Sequence, residues 1–101
     1  MKNIRVSLIK VSKLREKFCV NSHKEVIGIE RSLTTTEYQT AVQSNIRIER
    51  KILIVSFIYS GEKIIQIDDL FYKVERTYDL GQYIELYLSN TTLNKENFVY
   101  G

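Results

Sequence analysis

Cys19 and His23 are the only thiol and the only imidazole in the chain, and they stand four residues apart. A thiol beside an imidazole is the minimum for a nucleophile activated by a base. No glycine-rich oxyanion loop, helix start or orienting carboxylate accompanies the pair, so Cys19 reads as a plain half-buried thiol. Asp68-Asp69 offers two carboxylates, but adjacent side chains on a strand diverge and no acidic cluster nearby completes a cation shell. That dipeptide reads as a turn. One cysteine excludes an intramolecular disulfide, and with one histidine it excludes a four-ligand zinc site. Walker, GxGxxG, HExxH and GxSxG patterns do not occur. The seven tyrosines remain, and they can stack on bases or make protein contacts. Tyr72 shares parity with apolar Val74, and Tyr83 and Tyr87 flank Glu85, whose carboxylate repels phosphate. Protein contact is the favoured reading, with no catalytic, cofactor or metal site expected.

The elements that must position these residues belong to one small domain of 101 residues. The apolar share is 44% and the charged share 27%, as in an ordinary globular domain. No apolar run approaches the roughly 18 residues that a spanning helix needs. The start, Met1-Lys2-Asn3-Ile4-Arg5-Val6, alternates at once, and the expectation is a chain without a signal peptide in a reducing compartment. Charge is uneven. Residues 1–31 hold eight basic and three acidic side chains, a net of +5; the remainder hold seven and nine, a net of −2. Such polarity favours an acidic partner surface or assembly between unlike faces.

Period two dominates the pattern. Ile4, Val6 and Leu8 share one face; so do Ile46, Ile48, Ile52, Ile54 and Ile58, and so do Ile84, Leu86 and Leu88. After Lys51 the opposite face becomes apolar too (Leu53, Val55, Phe57), which implies cover on both sides. Strands are expected near 3–10, 24–30, 45–59, 63–67, 70–78 and 82–89. Ser60-Gly61, Asp68-Asp69 and Asp79-Leu80-Gly81 would turn three consecutive hairpins. The fold expected is mainly β: a small antiparallel barrel or sandwich of about six strands with one short helix. The helix is signalled by Thr34-Thr35-Thr36-Glu37, a capping box with Leu33 and Tyr38 at the staple positions. Residues 11–23 read equally as helix (Val11, Leu14, Phe18) or strand (Phe18-Cys19-Val20). The domain is expected to end at 89, with 90–101 a flexible tail whose Phe98 and Tyr100 dock on a neighbour.

Residues 31–88 carry a further pattern. Glu37-Tyr38 precedes a long strand, Ile67-Asp68-Asp69-Leu70-Phe71-Tyr72-Lys73-Val74 forms a hairpin, and Gly81-Gln82-Tyr83-Ile84-Glu85-Leu86 closes it. This order resembles the head–tail joining proteins of long-tailed bacteriophages, also called head-closure, adaptor or stopper proteins. Their pattern is a Glu-Tyr/Phe at a helical insertion, an Ile-x-x-Asp-Gly-x-x-Tyr-x-Ile hairpin and a Gly-x-x-x-Glu-Leu strand. This chain departs from it with Asp69 in place of the turn glycine, and with Val26-Ile27-Gly28-Ile29 where the family often has an aromatic-rich strand. The resemblance implies a virion structural protein without catalysis. It would form a homo-oligomeric ring below the portal, close the DNA-filled head without sequence-specific DNA binding, and dock the tail. Its partners would be portal or adaptor and tail proteins, with no membrane, and its location the virion, after assembly in the host cytoplasm. Contact residues expected on this reading are Arg31, Glu37, Tyr38, Arg47, Tyr83, Tyr87, Phe98 and Tyr100. Two alternatives are another small virion β-protein, such as a tail-completion or terminator component, and a single-strand nucleic-acid-binding barrel.

Overall fold

The computed structural model describes residues 2–14, 17–32, 47–91, 93 and 95–100. In chain order the strands are β1 (Lys2–Leu14), β2 (Lys17–Arg31), β3 (Ile48–Val55), β4 (Ile64–Ile67), β5 (Leu70–Asp79), β6 (Tyr83–Asn90) and β7 (Phe98–Tyr100), with 3-10 turns at Ser56–Ile58 and Lys95–Asn97. The strand order is β1-β4-β5-β6-β3-β2-β7, and β1 also pairs β2. The first six strands therefore close on themselves, every neighbour antiparallel. The expected antiparallel six-strand fold holds, and only β7 joins in parallel.

Alternation decides which face is inside. Val6, Leu8, Ile52, Ile54, Ile65, Ile67, Tyr72, Val74, Leu86 and Leu88 form one buried cluster. Burying a side chain of this kind stabilises the fold by about 1.5–3 kcal/mol. Gly28 lies inside this layer because a Cβ there would stand 2.8 Å from Ile52 Cγ2 and 3.3 Å from Ile54 Cγ2. The opposite parity of three strands is apolar as well. Ile9, Ile64 and Phe71 form a second cluster on the outside, and Phe98 covers it.

Several expectations are corrected. Ser60-Gly61 does not turn a hairpin: β3 pairs β2 and β6, while β4 pairs β1 and β5. The strand stops at Val55 because the chain turns into a 3-10 turn, and the connection then passes from β3 across to β4. Ile58 and Tyr59, expected on a strand, pack on the inner cluster from this connection. Phe57, expected to be covered, is 86% exposed for the same reason. Asp68-Asp69 does turn β4 into β5, but the left-handed residue is Asp68 (φ 56), not Asp69. Gly81 (φ 95) sits in the β5–β6 loop as its type requires. Of the ambiguous 11–23, residues 11–14 and 17–23 pair as the far part of β1 and β2, with a bulge between Lys10 and Val11. The C-terminal stretch expected as a loose tail from residue 90 returns to the sheet as β7, because Phe98 has an apolar site to fill. The helix expected near 34–45, with Glu37 and Tyr38, falls outside the described residues. No helix among the described residues is long and apolar enough to cross a membrane.

Candidate assembly surface

Cross-strand register brings the expected contact residues of β2 and β6 together across β3. Arg31 stands opposite Lys51, and Lys51 opposite Tyr87; Leu53 faces Glu85, and Val55 faces Tyr83. All lie on the side away from Ile52, Ile54, Leu86 and Leu88. The Glu85 carboxylate is buried there, with Arg31 Nη1 at 3.3 Å and Lys51 Nζ at 3.9 Å from Oε2. Tyr87 O–H donates to Glu85 Oε1 at 3.5 Å, and Lys51 Nζ lies 5.8 Å from the Tyr87 ring centroid. Glu85 thus meets two cations rather than standing as a bare negative charge between two tyrosines. Arg31 and Tyr87 are committed to this network, whereas Tyr83 is 37% exposed. Arg47 is exposed and pairs with Glu49 at 3.0 Å. Phe98 is not a free contact residue: it is 6% exposed, its ring stacked 4.6 Å from Phe71. Tyr100 pairs with Val20 in the backbone ladder.

Sequence reading missed the apolar surface beside Tyr83. Ser56 N–H donates to Gln82 O at 3.0 Å and Ser56 Oγ to Gly81 O at 2.5 Å, which sets Phe57 next to the β5–β6 loop. The loop is tightened by the Leu80 amide donating to Tyr83 O at 2.8 Å and the Gly81 amide to Asp79 Oδ1 at 2.8 Å. Phe57, Leu80 (49% exposed) and Tyr83 therefore gather at one end of the closed sheet, with exposed Tyr78 two residues before Leu80. Scattered exposed apolar residues need no explanation; several in one place mark a contact surface. The available signal was Leu80 inside a turn, where its apolar character serves no local purpose.

The connection that carries Phe57 is anchored by an ion pair whose carboxylate is buried. Glu62 is fully buried on residues 59–63; its Oε1 accepts the Ser60 amide at 2.6 Å and its Oε2 lies 3.1 Å from Lys24 Nζ. Lys24, on β2, also donates to Ile58 O at 2.6 Å and Ser60 Oγ at 3.2 Å. Tyr59 O–H donates to the Glu62 carbonyl at 2.6 Å. Burial alone would raise the Glu62 carboxyl; the Ser60 amide, its own amide and Lys24 outweigh this and hold it below the usual 4.5. Burial, and then the Glu62 charge, push the Tyr59 phenol from 10.0 up to about 12.

The structure does not bring Cys19 and His23 together. Cys19 faces Ser12 and His23 faces Ile9 along the same hairpin, and four residues of strand separate them by about 13 Å. Among the described residues no three His, Cys, Asp or Glu side chains gather where they could hold a metal. Comparison with family models, with curated proteins and with solved structures returns no match.

Proposed function

We propose that this chain is a head–tail joining subunit of a long-tailed bacteriophage. In this reading copies form a ring below the portal, close the DNA-filled head and present a platform to the tail. The observation that carries it is the exposed apolar end formed by Phe57, Leu80 and Tyr83, with the connection that bears Phe57 held by the Lys24–Glu62 ion pair. An isolated small domain gains nothing from an ordered, exposed phenylalanine; a subunit of an assembly uses it as a contact anchor. The order of elements gives further support: residues 33–47, then β3, then the Asp68-Asp69 hairpin and a closing strand containing Glu85-Leu86. That is the succession of the resemblance in residues 31–88. The charge polarity of the chain favours contacts between unlike faces, as head-to-tail ring neighbours require.

The experiment is reconstitution with portal and adaptor rings, viewed by electron microscopy. Wild-type protein should add a ring below the adaptor, and Phe57→Ser combined with Tyr83→Ser should fold yet fail to add it. Absence of any ring with the native chain refutes the reading. Salt-sensitive retention on single-stranded DNA without ring formation would replace it with the nucleic-acid alternative.

A further inference from the structure

Phe98 and its strand fill a groove whose shape they define. The floor is Ile9, Ile64 and Phe71 on the outer side of the closed sheet, and Val11, Phe18, Val20 and Leu93 pack around it. Phe98 stacks on Phe71, and its ring centroid lies 5.9 Å from that of Phe18. The backbone attachment is small by comparison. β7 pairs β2 only through Phe18–Phe98, Cys19–Val99 and Val20–Tyr100, in parallel and at the outermost position in the strand order. β7 reaches β6 through Thr91, Leu93 and the turn Lys95–Asn97, where Thr91 Oγ1 donates to Phe71 O at 2.7 Å and accepts the Leu93 amide at 3.2 Å. None of these residues belongs to the inner cluster. The strand can therefore leave and be replaced without opening the closed sheet.

We propose that β7 is an exchangeable strand: in self-associated protein the groove of one copy is filled by the β7 strand of another. The occupant is the one already seen to fit, so every contact of Phe98 is conserved on exchange and only association entropy is added. Main-chain pairing with the β2 edge supplies affinity and the Phe71 pocket supplies specificity, as in other strand-addition contacts. This inference goes beyond the functional reading, because it requires another copy of the chain and no portal or tail protein.

The ladder provides the test. Cys19 stands in register with Val99, and neighbouring strands are about 4.8 Å apart, within the span a disulfide bridges. Full-length chain carrying Val99→Cys is oxidised in dilute solution and again at high concentration, followed by size separation and a non-reducing gel. Intrachain bonds are expected in the monomer, and interchain bonds in most of the oligomeric fraction. A control that also carries Cys19→Ser should lose those bonds, which separates β2–β7 links from links between two engineered thiols. Should Val99→Cys fold poorly, Val20→Cys with Tyr100→Cys in a Cys19→Ser background reads the adjacent register pair. Oligomers linked only within each chain overturn the exchange and leave the ring reading standing. Failure to self-associate at any concentration also overturns the exchange, and the portal reconstitution then judges the ring reading separately.

Discussion

Replacing Glu62 by Gln tests whether the Lys24–Glu62 ion pair fixes the connection that presents Phe57. The substitution keeps volume and removes charge. Gln can still accept the Ser60 amide, but its NH2 group would face the Lys24 ammonium, which loses its counter-charge. Breaking a wholly buried pair costs about 3–5 kcal/mol. Here the Lys24 side chain is 39% exposed and water can take over part of its solvation. A loss of about 1–3 kcal/mol, typical of one charged hydrogen bond, is expected. In a domain of this size that lowers the melting temperature by roughly 5–20 °C. Urea unfolding followed by far-ultraviolet circular dichroism measures it. Acid supplies the second arm. The folded Glu62 carboxyl lies below its usual 4.5, so its contribution is present above that pH. It is lost as pH falls through the folded value, because protonation then favours the unfolded chain. The difference between wild type and Glu62→Gln should be constant from pH 6 to 8 and narrow below about 4.5. Equal stability at pH 7, or a gap that persists unchanged into acid, would refute the reasoning.

Two further substitutions read the backbone. Asp68→Gly should stabilise the protein by up to about 1 kcal/mol, because Asp68 carries the positive φ, while Asp69→Gly should give no gain; thermal melts of the two variants side by side check the contrast. Gly28→Ala should destabilise by about 1–3 kcal/mol, since its Cβ would be pressed 2.8 Å from Ile52 Cγ2 in a packed layer, and an unchanged urea midpoint would show that the layer yields freely.

Alternation made most of the inner layer legible. Val6 with Leu8, Ile52 with Ile54, and Leu86 with Leu88 announce their faces without help, because a strand allows only two directions for a side chain. The two-residue turn was legible at Asp68-Asp69. The β5–β6 turn was legible in place but shifted by one residue, because Asp79 still pairs with Ile84 in the ladder and Leu80-Gly81-Gln82 make the loop. Pairing order was less legible. Ser60-Gly61 has the chemistry of a hairpin turn, yet β3 and β4 are separated in the sheet by β2 and β1, a fact set by closure of the whole sheet rather than by local sequence. The Lys24–Glu62 pair was hidden for the same reason: 38 positions separate its members, and nothing near either one names the other. On the outer surface, Tyr83 and Tyr87 were placed on the correct face, but parity says nothing of what else shares it. Lys51 and Arg31 reach Glu85 only through register across three strands.

Two sets of apolar residues outside the inner layer contrast with each other, and the contrast bears directly on assembly. Ile9, Ile64 and Phe71 point outward and would leave an apolar face in water, but the chain returns with Phe98 and Leu93 and covers them. Phe57, Leu80 and Tyr83 also point outward, and no described residue buries them. A chain that brings its C-terminus across the sheet to cover one such face has shown the cost of leaving it bare; the second face is then explicable as one kept for another molecule. Polar replacement separates the two. Phe98→Ser should destabilise the monomer by about 3 kcal/mol or more, as loss of a buried aromatic does. Phe57→Ser should leave its urea midpoint unchanged within about 0.5 kcal/mol, as expected of an exposed site. Comparable losses from both variants would mean that Phe57 is already buried in solution, and the surface proposed for assembly would not exist.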